Sequence, residues 1–453
     1  MSNLARRILS LVRFGRMKQA ALWLIASDVF LQGSRYALIA GLGYVSFPLL
    51  GSFLFGSAIG SLLGVAIDFG INQHWLRMGS GPKGLTRETF VRVFAVKLWL
   101  SLIEIGAFVF VLTTGLWPRA LPLMLVAGLV TANLHTLAES CEAAGFVHQW
   151  HRLIALFRVL LGAIMYAAPV VVMFFAGGEE KSEAIHTALQ VGIFAGVLIL
   201  LGYVWATARM LISGPTLQGA YGRVWWQSRW LGLNQLAVVV DVRAPLVLLG
   251  LMLGETAVGL YGLVQRTTAA VELIWASLSK LLLKSYAEDA SARGVGAVQP
   301  EIVRASWITG LAMIVGIAGV WAVTRYVERS GGWSQEVLTS LGLLRWAVVA
   351  IGLSSLKRPL VLVLIAVGRE RDVCRVNVLS ATAGLIAVPL LVWHFGVWGP
   401  VMVAVGLESL AIVLLVSYFR AAQRDLDSTE EEPSSVTVNQ WMSRVPAGSG
   451  RKL

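Results

Sequence analysis

Apolar runs recur along the chain at near-regular intervals, separated by short polar stretches that hold most of its charge. About 20 apolar residues are needed for a helix to cross a bilayer. By that measure the pattern predicts helices at 21–45, 48–69, 90–113, 119–141, 152–176, 186–211, 228–251, 257–283, 302–324, 337–367, 374–395 and 397–420. The fold class expected is an all-α polytopic membrane protein of about 12 transmembrane helices. Pro359 lies inside the tenth run, where a missing backbone donor predicts a disturbed helix.

Two stretches of the pattern share one build. DVFLQGSRYALIAGLGYVSFPLLGSFLFGSAIGSLLGVAIDFGINQHWLR, residues 28–77, reads as two helices joined by a short turn. Arg35 lies inside the first of them and Asp68 closes the second. VVVDVRAPLVLLGLMLGETAVGLYGLVQRTTAAVELIWASLSKLLLK, residues 238–284, repeats that plan. A single shift of 208 residues, close to half of the 453-residue chain, lays Gly51 on Gly259 and Arg35 on Arg243. This symmetry predicts two pseudo-symmetric six-helix lobes and a transporter with arginines near its axis.

Composition agrees with a chain lying mostly in lipid: 57% of residues are hydrophobic and 14% charged. The net charge of +12 would otherwise suggest nucleic acid. Here the cations instead gather in one alternating set of loops: Arg77 to Arg92, Arg209 to Arg229, Lys284 to Arg304 and Arg369 to Arg375. The positive-inside rule then places both termini in the cytoplasm. Cys141 and Cys374 fall at predicted cytoplasmic ends and are expected to be reduced thiols. The first helix has no small-residue cleavage site after it and is expected to be retained. The organisation predicted is a basic N-terminus at 1–19, an N-lobe at 20–211, a cytoplasmic linker at 212–227, a C-lobe at 228–420 and a disordered tail at 421–453.

Ionisable residues inside spans carry the functional signal, because a charge at a helix centre costs roughly 2.5–3.5 kcal/mol and normally faces a cavity or a partner. Asp28 and Arg35, seven apart, share a face of the first helix. They line a cavity or, in the plainer reading, pin helices together. Arg243 and Asp241 point to different faces, and Arg243 is the one assigned to the cavity. Arg266 begins a stripe continued by Ser277, Lys280 and Lys284, of which the two lysines are placed to snorkel to the surface. Arg345, Lys357 and Arg358 lie in the tenth helix. His135, Glu139 and Glu142 share a face of the fourth, where an imidazole next to a carboxylate can pass protons. Glu142 reads as a packed helix end, and Lys97 with Glu104 as structural. Asp68 is expected to cap loop amides or to pair with Arg77. Together these residues predict a cavity more cationic than acidic, with Arg35, Arg243, Arg266, Lys357 and Arg358 as ligands for a phosphate or diphosphate. Asp28, His135 and Glu139 are the candidates for ion coupling. No nucleophile elbow, phosphate-cradling loop or metal-ligand cluster is legible, so no catalytic residue, metal or cofactor is assigned.

SFLFGSAIGSLLGVAIDFGINQHWLRMGS resembles the end of the second helix of polysaccharide flippases, where Asp-x-Gly and a following Arg close the span. LGETAVGLYGLVQRTTAAVELIWASLSKLLLKSYAE resembles their eighth, and CEAAGFVHQWHRL and LVLIAVGRERDVCRV resemble the turns after their fourth and tenth. Over most of residues 20–420 the chain is similar to the polysaccharide (O-antigen, Wzx-type) flippases of the MOP superfamily, which also holds MATE drug exporters and lipid II flippases. The resemblance implies an undecaprenyl-diphosphate-linked oligosaccharide as substrate, a V-shaped cationic cavity and alternating access. It also implies a bacterial inner membrane, polysaccharide assembly proteins as partners, and H+ or Na+ as counter-ion. Three alternatives compete. A MATE-type cation-coupled multidrug exporter would want an acidic cavity. A major-facilitator transporter would want paired basic residues that GVAIDFGINQHWLR lacks. A membrane polysaccharide polymerase or ligase would want a larger periplasmic loop.

Overall fold

The computed structural model describes residues 15–78, 85–114, 122–175, 181–211, 225–226, 228–268, 299–366 and 369–430. Outside them lie the linker up to 224, residues 431–453, and the second part of the predicted eighth helix with Glu272, Ser277, Lys280 and Lys284.

The described residues fold into helices with no strand. In chain order the first lobe holds α1 (Gly15–Val45), α2 (Phe47–Asp68), the short α3 (Ile71–Met78), α4 (Arg87–Thr113) and α5 (Pro122–Val147). It continues with α6 (His151–Phe175) and α7 (Lys181–Met210). The second lobe holds α8 (Arg229–Leu253), α9 (255–268), α10 (Gln299–Ser330), α11 (Gln335–Ala366), α12 (Glu370–Phe395) and α13 (Gly399–Glu430). Eight stretches among the described residues are long and apolar enough to cross a membrane. Their outer faces confirm the solvent: Val191, Phe194, Leu198, Leu201 and Trp205 form an exposed apolar stripe along α7.

Local chemistry sets the helix boundaries. Ser46 alone, in extended backbone, separates α1 from α2, and Pro48 lies in the first turn of α2. Phe69 (φ 40°) and Gly70 (φ 76°) end α2 in left-handed backbone. Gly254 (φ 86°) alone turns α8 into α9. Thr86 caps α4 by accepting from the Thr89 N–H at 3.3 Å.

The structure differs from the predicted pattern in four places. The loop after α2 carries the helix α3, whose Ile71 and Trp75 are buried. The fifth predicted helix contains a π-helical segment, Gly162–Ala167. Pro359 does not break α11, which runs continuously from Gln335 to Ala366; packing against α10 and α13 holds it through the lost bond. Helix α13 continues past 421 to Glu430, because RAAQRDLDSTE is rich in helix-forming residues.

The two lobes repeat one plan of packed helices. Helix α1 packs on α6 as α8 packs on α12, α4 on α5 as α10 on α11, and α5 on α7 as α11 on α13. The two lobes meet along the largely buried α2, where it crosses α9. A Cβ at Gly51 would collide with the carbonyl oxygen of Glu255, and one at Gly259 with that of Phe47. Phe47 and Glu255 are 208 apart, as Gly51 and Gly259 are, so the contact is self-complementary in the manner of a two-fold interface. Gly262 sits against the side chain of Leu54, its own counterpart, which puts that pair on the pseudo-axis.

Candidate functional site

Three of the predicted arginines come together around this axis. Arg35 projects from α1, Arg243 from α8 and Arg266 from α9, and all three are half-buried. Arg35 and Arg243 lie within electrostatic reach of each other, and both act on Arg266. His135 on α5 feels all three. The Arg35 guanidinium lies over the Tyr166 ring, 5.7 Å from its centroid. Among the described residues none of the three has a carboxylate partner, and Arg266 Nε is buried without a hydrogen-bond partner.

His135 and Glu139 stand one turn apart, with Nε2 3.5 Å from Oε1. Their side chains keep 26% and 46% of their surface, so both open onto free space beside the arginines. Asp28 makes a different contact: its Oδ1 is 3.6 Å from Arg158 of α6, which Glu142 grips bidentately at 2.8 and 2.6 Å. Asp28, Arg158 and Glu142 therefore form a chain across α1, α6 and α5. Arg158 was not singled out in the sequence, because its two acidic partners lie on separate helices.

Lys357 is seated away from the arginine cluster. Its Nζ lies 2.5 Å from Glu408 of α13, on the wall of a cavity of about 160 Å³ within the second lobe. That cavity is also lined by Asp241, Tyr261, Gln265 and Ser354. Pro245 loosens α8 beside it, and the neighbouring Val242 carbonyl accepts from Gln265 Nε2 at 2.5 Å. Arg358 is half-buried next to Lys357 on α11.

The remaining buried charges hold helices together. Asp68 pairs with the buried Lys97, 2.5 Å away, while the side chain of Arg77, its expected partner, lies outside the described residues. Lys97 also reaches Ser140 at 2.9 Å and Asn72 at 3.0 Å, and it lies over the Trp75 ring. Helix α3 brings Asn72 and Trp75 there, which a reading of that segment as loop could not supply. Glu104 accepts from Asn133 at 3.0 Å, and Arg345 bonds Glu328 at 2.6 Å and Thr324 at 2.8 Å. Cys141 and Cys374 are buried thiols, neither in a disulfide. No group of three or more metal-binding side chains comes together among the described residues.

No family model matches the chain, and no curated protein matches it in sequence. Solved structures do match in shape. The lipid II flippase MurJ in an inward closed conformation superposes with a TM-score of 0.66 at 9% identity, covering 89% of this chain and 87% of that one. An inward-facing multidrug resistance MATE family transporter of the MOP superfamily gives 0.54 at 13% identity, covering 92% and 96%. A MATE protein in a bent conformation gives 0.56 at 13%, covering 93% and 98%. The chain therefore shares the all-helical fold of these flippase and transporter structures.

Proposed function

We propose that this protein is a flippase that moves an undecaprenyl-diphosphate-linked oligosaccharide from the cytoplasmic to the periplasmic leaflet by alternating access. The observation that carries the reading is the contrast among buried cations. Arg158, Arg345, Lys97 and Lys357 each have a carboxylate, whereas Arg35, Arg243 and Arg266 have none among the described residues. An unpaired charge inside a membrane protein is costly, so three together favour an anion that supplies the missing charge. Guanidinium forks match phosphate oxygens two at a time, and a diphosphate offers enough oxygens for arginines from both lobes. The sugar hydroxyls need the same shelter, since they lose water on entering hydrocarbon with nothing in return. His135 and Glu139 are placed to couple a proton or sodium ion to the movement, while Asp28 is engaged by Arg158.

The second reading, a cation-coupled drug exporter, is supported by the cavity in the second lobe, where Asp241 and Glu408 supply the acidic character such a pump needs. Cells carrying Arg35→Ala, Arg243→Ala or Arg266→Ala at normal protein levels separate the two. Accumulation of lipid-linked oligosaccharide on the cytoplasmic leaflet is expected. Normal export in all three strains would overturn the diphosphate mechanism and leave the exporter reading in front.

A further inference from the structure

The inference here rests on that diphosphate reading and concerns how the anion site is kept ready. Among the described residues, the arginines of the interior differ in what occupies their N–H groups. Arg158 and Arg345 are gripped by carboxylates, although each also lies 6.0 Å from a ring centroid, of Phe146 and Trp321. Arg35 has a ring face and no carboxylate. An aromatic face attracts a guanidinium through its flat side and leaves the in-plane donors unused. Among the described residues Arg35 makes no hydrogen bond or ion pair, so its fork is unoccupied.

Tyr166 owes its place to the π-helical segment Gly162–Ala167. On an unbroken α-helix Tyr166, eight residues beyond Arg158, would lie about 80° around the axis from it. A π turn takes in more residues per turn and so brings the two toward one face. Gly162, the first residue of that segment, also lets α1 come close: a Cβ there would meet the Phe30 ring at 3.1 Å and the Leu31 Cα at 3.2 Å. One local irregularity thus sets both the approach of α1 and the ring beneath Arg35. Tyr166 is only 3% exposed and its ring packs in the core, so the platform is rigid. Arg266 also lies within its electrostatic reach.

We infer that Tyr166 is a positioning residue of the anion site, whose ring face holds the Arg35 guanidinium while leaving its donor fork free for phosphate oxygens. The test uses the full-length protein in lipid nanodiscs and titrates inorganic pyrophosphate by calorimetry. Tyr166→Leu is expected to weaken binding about tenfold, and Tyr166→Phe to restore most of that loss. Phenylalanines carrying one, two and three ring fluorines at 166 keep the shape but drain the face of negative potential, so affinity is expected to fall stepwise along the series. A flat series, with Arg35→Ala still losing binding, would overturn the role of Tyr166 and leave the diphosphate reading standing. Full binding by Arg35→Ala, Arg243→Ala and Arg266→Ala would overturn both.

Discussion

Lys97 shows what a satisfied buried charge looks like in this molecule. Three oxygens, from Asp68, Asn72 and Ser140, lie within 3.0 Å of its Nζ. Lys97→Met keeps most of the volume but leaves the Asp68 carboxylate buried and unpaired, a change that costs about 3–5 kcal/mol. Thermal unfolding of the purified protein checks this. A large fall in melting temperature is expected, with part of it recovered when Asp68→Asn is added. An unchanged melting temperature would show that the pair holds nothing together. The single charges were legible in the sequence because each stands out against apolar neighbours. Their partners were not, since Lys97 reaches back to Asp68 on α2 and forward to Ser140 on α5. Arg158 was missed for the same reason, its partners Asp28 and Glu142 being on α1 and α5. At this scale the sequence shows where a charge is costly, and only the fold shows what neutralises it.

Helices are the scale at which the sequence was most informative. Runs of more than twenty apolar residues can form little else in a membrane, and the twelve predicted runs each contain a helix of the structure as far as it is described. What escaped was short or held by neighbours. Helix α3 is only 8 residues long, too brief for its period to stand out. The π segment has no composition of its own and arises where α6 packs on α1 and α7. Glycine was the most telling signal, since the alignment of Gly51 with Gly259 marked the place where α2 and α9 touch. A larger side chain there must push the lobes apart. Gly51→Val is expected to destabilise the contact by about 1–3 kcal/mol. Spin labels at the exposed positions Tyr44 and Leu253 should report a longer or broader distance. Gly33→Ala, with open space around its Cβ, is the control and should leave that distance alone. The same distance in Gly51→Val would mean that this contact does not set the spacing of the lobes.

Charge moving through the whole molecule gives the last prediction. Helices of both lobes bring the arginines to the pseudo-axis, so a bound diphosphate would shift its exposure from one side to the other while the cations that neutralise it stay with the protein. If the anion crosses without a compensating ion, an inside-negative potential assists its outward movement by about 2.3 kcal/mol per charge per 100 mV, roughly 50-fold in the ratio of leaflets. If a proton or sodium ion moves inward on His135 and Glu139, the potential also drives that ion. The dependence on voltage is then steeper, and it comes with a dependence on the ion gradient. Proteoliposomes with a potassium-diffusion potential and a labelled polyprenyl-diphosphate sugar separate the cases, since gradient and voltage can be set independently. The arginine site predicts a leaflet ratio that follows voltage and collapses in Arg243→Ala. The coupling role of the carboxylate predicts that Glu139→Gln keeps the voltage response but loses the response to the ion gradient. A ratio indifferent to voltage would mean that no net charge crosses, which three arginines without a carboxylate partner among the described residues cannot arrange when a diphosphate moves alone.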